Sequence, residues 1–261
     1  MKDFIIGYIL QILYTVGIIA LFGFLIALMR RAFCALMGRS GPTILLATGI
    51  VGTPIHELSH ALMCVIFGHT ITEIKLYQPQ SNDGTLGYVS HSYNRKNIYH
   101  QIGNFFIGTA PVLVGSGVLL LFMLLLLPDA FETVFDEMQV IDSFGAIFPY
   151  IGACIAAIFS NLGEWQTWAF LVLALMISSH MEMSGADIKG GLGGLGILAL
   201  LWLVVSTVIY LISSSAFEDI TDAASTFAML LTSFLSIALI FLGVMVLIAL
   251  IIKLIKTILS K

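Results

Sequence analysis

His56-Glu57-Leu58-Ser59-His60 is an H-E-x-x-H motif. On a helix, positions i and i+4 share a face, so both imidazoles can reach one metal ion. Glu57 lies about 100° round the helix from His56, near enough to address a water bound to that ion. Zinc lowers the pKa of such a water to around 7. The carboxylate then acts as general base on the water and later returns a proton to the leaving amine. With 6 histidines among 261 residues, a shuffled chain holds roughly 0.004 such matches, so composition alone does not account for the motif.

A catalytic zinc takes three protein ligands and keeps a fourth position open. The polar run Ser178–Gly190 offers three candidates for the third, Asp187 first, then Glu182 and His180. His180 also has the chemistry of a donor to a developing oxyanion. Cys64 is i+8 from His56, about 12 Å along the helix, too far to share that ion, and reads as packing. His69, His91 and His100 have no partner at ligand spacing and read as surface residues.

The elements that must position these residues belong to a membrane. Of the 261 residues, 59% are hydrophobic and only 10% charged, with a mean hydropathy of +1.05. Soluble domains carry about 25% charged residues, so a soluble globular domain, a disordered chain and a basic nucleic-acid binder are all excluded. The net charge of −4 implies no strongly charged partner, and three scattered cysteines give no disulfide framework. A crossing helix needs about 20 apolar residues. Six stretches qualify as spans: Phe4–Leu28, Thr43–Phe67, Ile102–Leu127, a shorter one from Trp165 to about Ser179, Gly190–Ser213 and Ala224–Ile252. Phe144–Ser160, interrupted by Pro149, reads as interfacial or re-entrant. The expected fold is therefore an all-α polytopic membrane protein of about six transmembrane helices, forming one domain. The first segment is too long for a cleavable signal and lacks a cleavage site.

Lys and Arg mark the cytoplasmic side. Lys75, Arg95, Lys96, Lys189 and the C-terminal lysines then lie inside, and the acidic, base-free segments 128–143 and 214–223 outside. With six spans the N-terminus also lies inside, and Arg30, Arg31 and Arg39 alone dissent. A prokaryotic cytoplasmic membrane suits the compact size. The motif thus falls within a span, where two histidines and a glutamate cost several kcal/mol unless partnered or hydrated. Polar contacts that merely join helices are the alternative to catalysis. Gly190, Gly191, Gly193, Gly194 and Gly196 suit close helix packing.

After Gly68 the chain reads as a short β-hairpin. Ile71–Tyr77 alternates apolar and polar residues, Ser81-Asn82-Asp83-Gly84 is a turn signal, and Thr85–His91 is a second β-rich run. The free edge of such a hairpin can hold an extended substrate segment.

The order of these pieces resembles the site-2 protease family of intramembrane zinc metalloproteases. The resemblance rests on the H-E-x-x-H helix continuing as Ala61-Leu62, the strand-rich loop, Gly108-Thr109-Ala110-Pro111 in the next span, and an aspartate further on, over roughly residues 43–200. It implies a zinc endopeptidase. His56, His60 and Asp187 would hold Zn2+, Glu57 would act as the base, and Asn104 is the candidate for a carbonyl-polarising asparagine. Its substrates would be membrane-anchored proteins or hydrophobic peptides, cleaved in or near the bilayer by a site facing the cytoplasm. Two rivals remain at this stage. One is a prenyl-protein or quality-control type of membrane protease with Glu182 as third ligand, and the other is a non-catalytic metal-binding membrane module.

Overall fold

The computed structural model describes residues 2–80, 84–139 and 141–259. It is mostly helical. Helices α1 (Lys2–Ile12) and α2 (Ile18–Met37) are joined through a π-helical turn, Leu13–Gly17, into one apolar helix. Then follow α3 (Ser40–Ile66), strands β1 (Thr70–Lys75) and β2 (Tyr88–Ser92), α4 (Ile98–Leu126), α5 (Pro128–Gln139), α6 (Ile147–Phe159), α7 (Trp165–Ser178), α8 (Gly185–Ile212) and α9 (Ser214–Leu259).

Five helical stretches among the described residues are long and apolar enough to cross a membrane: Lys2–Met37, Ser40–Ile66, Ile98–Leu126, Gly185–Ile212 and Ser214–Leu259. Their outer faces carry large apolar side chains, as at Leu200, Val204, Leu211 and Ile212 of α8, each more than half exposed. An apolar band of this extent is stable against lipid and not against water. These features make the chain an integral membrane protein by length and composition.

The expected count of six is not reproduced. The stretch expected as the fourth span is α7, a 14-residue helix. It is about 21 Å long, short of the roughly 30 Å hydrocarbon core. The segment 144–160 forms the equally short α6 after a single 3₁₀ turn, Phe144–Ala146. Most of 128–143, expected as an outer loop, is the amphipathic helix α5. Residues 214–223, also expected as a loop, are absorbed into the 46-residue α9.

The last helix runs parallel to the first. The Phe4 ring lies 5.4 Å from Phe217 at one end, and Phe33 packs with Met245 and Ala249 at the other. Residues 214–223 and the N-terminus therefore share one end of the bundle, where the charge pattern had separated them. A buried polar clasp fixes this arrangement. Gln11 donates to Thr221 (2.8 Å) and accepts from the Trp202 indole (2.8 Å) and Ser206 (3.2 Å). Such bonds hold helices together in lipid, where apolar burial no longer distinguishes helix from solvent.

The hairpin is present. β1 and β2 pair antiparallel, with Thr70 opposite Ser92 and Lys75 opposite Tyr88, and a bulge between Ile71 and Glu73. Ser81, Asn82 and Asp83 of the expected turn lie outside the described residues. The hairpin does not project away from the bundle. It runs back along α3, and the Tyr77 hydroxyl donates to the Leu46 carbonyl (2.7 Å).

α4 and α8 pack antiparallel through small residues. A Cβ at Gly108 would meet the Asp187 carbonyl at 2.5 Å, and one at Gly194 would meet the Gln101 carbonyl at 2.5 Å. Of the glycines at the start of α8, Gly191 and Gly194 face α4, while Gly190, Gly193 and Gly196 face open space. This contact brings Asp187, in the first turn of α8, within reach of His60 on α3.

Candidate metal centre

His56 and His60 lie one turn apart on α3, with Nε2 atoms 3.1 Å from each other. Each ring is fixed from behind. Nδ1 of His56 donates to the His180 carbonyl (2.6 Å), and Nδ1 of His60 donates to the Ile107 carbonyl (2.7 Å). A carbonyl oxygen can only accept, so both rings carry their proton on Nδ1. Both Nε2 lone pairs then point into the same space.

The two acceptor carbonyls are available for reasons written in the sequence. Pro111 has no N–H, so the carbonyl four residues earlier, Ile107, loses its helical partner and is free for His60. His180 follows the end of α7, where the last carbonyls have no intrahelical donors. Replacing Pro111 by Ala restores an N–H that competes for Ile107. The expected result is zinc affinity about 10-fold weaker, measured by competition with a chelating dye, because orienting partners of ligating histidines typically carry 10- to 100-fold.

Asp187 completes the cluster. Its Oδ1 lies 3.4 Å from His60 Nε2, and ligand atoms of His56, His60 and Asp187 all fall within 4.8 Å of one another. Asp187 is the third residue of α8 and forms a capping box with Ser184. The Ser184 N–H donates to Asp187 Oδ2 (2.7 Å), and the Asp187 N–H donates to the Ser184 hydroxyl (3.1 Å). One carboxylate oxygen thus anchors the helix start and the other faces the histidines.

The residues fit a zinc ion. With Zn–N distances of about 2.0–2.1 Å, tetrahedral ligands sit about 3.3 Å apart, close to the 3.1 and 3.4 Å found here. Two lone pairs and a carboxylate facing one another repel unless a cation lies among them. Zinc accepts this donor set of two imidazoles and one carboxylate.

Glu57 is buried at the same level of α3 and faces the second arm of the hairpin. A Cβ at Gly87 would stand 2.8 Å from Glu57 Cγ, from the Lys75 carbonyl and from Thr53 Cγ2. Only glycine lets the chain pass this closely over the carboxylate. A cavity of about 390 Å³ lies over the cluster, lined by Glu57, His60, Asp187, Tyr88, Val89 and His91 among others. β2 therefore borders the space into which the candidate ligands point.

The other candidates occupy different positions. The His180 ring rests against α3, within hydrogen-bond distance of Thr48 (3.0 Å) and Thr53 (3.4 Å), in a groove left by Gly49 and Gly52. Burial, then the Arg30 charge, holds it down at about 4, so the ring is neutral. It supports His56 through its backbone and stands outside the ligand cluster. Glu182 pairs with Arg30 of α2. That contact also places Arg30 beside the site. Glu182→Gln should leave zinc affinity within about two-fold of wild type, whereas loss of a true ligand exceeds about ten-fold. Asn104 lies on the α4 face packed on α8, its carbonyl near Gly191, and is not among the cavity-lining residues.

One grouping was missed by sequence reasoning. Cys64, His69 and His91 converge, with ligand atoms within 4.8 Å of one another. The signal was Gly68, whose positive φ of 70° folds the chain back over the helix end.

Comparison with family models, with curated proteins and with solved structures gives no significant match for this chain.

Proposed function

We propose that this protein is a zinc-dependent, membrane-embedded endopeptidase of the site-2 protease type, acting on membrane-anchored proteins or hydrophobic peptides. The observation that carries the reading is the convergence of His56, His60 and Asp187 beside Glu57, within a bundle of apolar helices. A glutamate immediately after the first histidine has no use in a site that only holds an ion. It has a defined use in hydrolysis.

In this reading His56, His60 and Asp187 hold the zinc, held in turn by the His180 carbonyl, the Ile107 carbonyl and Ser184. Bound there, zinc supplies Lewis-acid polarisation and an acidified water. Glu57 takes the proton from the attacking water and delivers it to the departing amine nitrogen, so it ends the cycle as it began. Its burial under Gly87 keeps bulk water from competing for that proton. The outer edge of β2 borders the cavity and offers backbone donors and acceptors to an extended segment. A helical substrate hides its peptide groups, so strand addition would hold it open for attack. A cytoplasm-facing site in a prokaryotic membrane belongs to the same proposal.

The test is cleavage of a membrane-anchored reporter helix and of a quenched hydrophobic peptide by protein in liposomes. Cleavage that stops on chelation and returns with zinc is expected. A zinc-loaded, folded protein inert toward both substrates, across reporters of varied sequence, would contradict the reading.

A further inference from the structure

The end of α3 and the hairpin base hold a second set of donors that catalysis does not use. α3 terminates in a Schellman turn: the His69 N–H donates to the Cys64 carbonyl (2.8 Å) and the Gly68 N–H to the Val65 carbonyl (3.2 Å). This turn carries His69 back over the last helical turn, next to Cys64. Pairing of β2 with β1 puts His91 opposite Ile71, at the same place. The thiol is fully buried, His69 is 6% exposed, and His91 faces the cavity shared with His60 and Asp187.

The imidazoles are arranged as ligands are. Nε2 of His69 donates to the His100 carbonyl (2.7 Å), so its Nδ1 is a bare lone pair, 3.0 Å from Nδ1 of His91. A second-sphere carbonyl of this kind is the usual partner of a ligating histidine. The Tyr93 ring stacks on His69 at 4.8 Å and holds its plane. A single hydrogen bond between the rings would satisfy His69 and His91; the Cys64 sulfur, within 4.8 Å of both, adds a soft third donor.

We infer that Cys64, His69 and His91 form a second metal site, for a thiophilic d¹⁰ ion of the Zn2+ class, separate from the His56–His60–Asp187 centre. One thiolate and two imidazoles match the donor preference of such ions and leave one further position on the cavity side. The ion would join the end of α3, its cap and β2, and so fix the strand that borders the first centre.

The experiment is a Co2+ titration of the full-length protein in detergent, read by the thiolate-to-cobalt charge-transfer absorption in the near ultraviolet. The expected result is a band in wild type that persists in Asp187→Ala and in the double variant Cys34→Ser/Cys154→Ser. It should vanish in Cys64→Ser and weaken strongly in His91→Ala. Persistence in Asp187→Ala separates this site from the first centre, so either can fail alone. Absence of the band in cobalt-saturated wild type would overturn the inference, and so would its survival in Cys64→Ser. The wild-type spectrum decides even where a cysteine variant does not fold.

Discussion

Glu57→Gln is expected to abolish peptide hydrolysis while zinc remains bound at the first centre. The amide keeps the size and most of the packing of the carboxylate beneath Gly87, so the ligands His56, His60 and Asp187 are untouched. What is lost is the carboxylate that the proposed mechanism uses to accept a proton from the attacking water. General-base catalysis contributes about 10²- to 10⁴-fold, and the loss should fall in kcat with little change in KM. Cleavage rates of the liposome-reconstituted variant, set beside its zinc content, test this. Hydrolysis within about three-fold of wild type would remove Glu57 from the mechanism.

The second large effect is at Asp187. Asp187→Ala should lose zinc from the first centre and, with it, all zinc-dependent hydrolysis. The side chain has two tasks, since Oδ2 caps α8 and Oδ1 faces His60. Two substitutions separate them. Asp187→Asn can still accept from the Ser184 N–H but brings no charge to the ion, so the helix start survives while zinc affinity falls about 10- to 100-fold. Asp187→Ala loses both, and the added cost at the helix start is roughly 0.5–1 kcal/mol. Competitive zinc titration and thermal unfolding of both variants read the two contributions independently. An alanine variant that binds zinc as wild type does would return the third-ligand role to another residue.

The site was legible in the sequence where spacing alone decides geometry. His56, Glu57 and His60 follow from the helical repeat, and the helix is there. Asp187 was legible as a donor in the polar run between the fourth and fifth apolar stretches. Its pairing with Ser184, three residues earlier, is a capping signal readable without coordinates. The roles of Glu182 and His180 were not legible. An ion pair with Arg30 and a ring seated over Gly49 and Gly52 depend on which helices touch, and a single sequence does not record helix neighbours in lipid. Cys64, His69 and His91 were missed for a related reason. Their spacing fits no continuous helix or strand, and only the reversal at Gly68 together with the β1–β2 register brings them together.

The fold shows the same division. Apolar length identified the long helices and alternation identified the hairpin. The expected count of six is not reproduced at α7, where hydropathy measures whether a segment can enter a bilayer and not whether it crosses. The charge pattern separated 214–223 from the N-terminus because α7 was counted as a crossing; with the five long helices alternating, α9 runs parallel to the first helix and its acidic start shares that helix's end of the bundle. Once the acidic stretch is the first part of α9, packing of Phe217 on Phe4 sets its end of the bundle. The position of Arg30 beside Glu182 shows why arginines near a helix end can follow a local acidic partner as well as a membrane side.

The central claim is that His56, His60 and Asp187 hold one zinc ion. The most direct measurement is zinc bound per chain in the Cys64→Ser background, where the second set of donors cannot contribute a thiolate, compared with Cys64→Ser/Asp187→Ala. The account predicts about one zinc per chain in the first and none in the second. Folded Cys64→Ser protein that takes up no zinc when it is supplied in excess would contradict it.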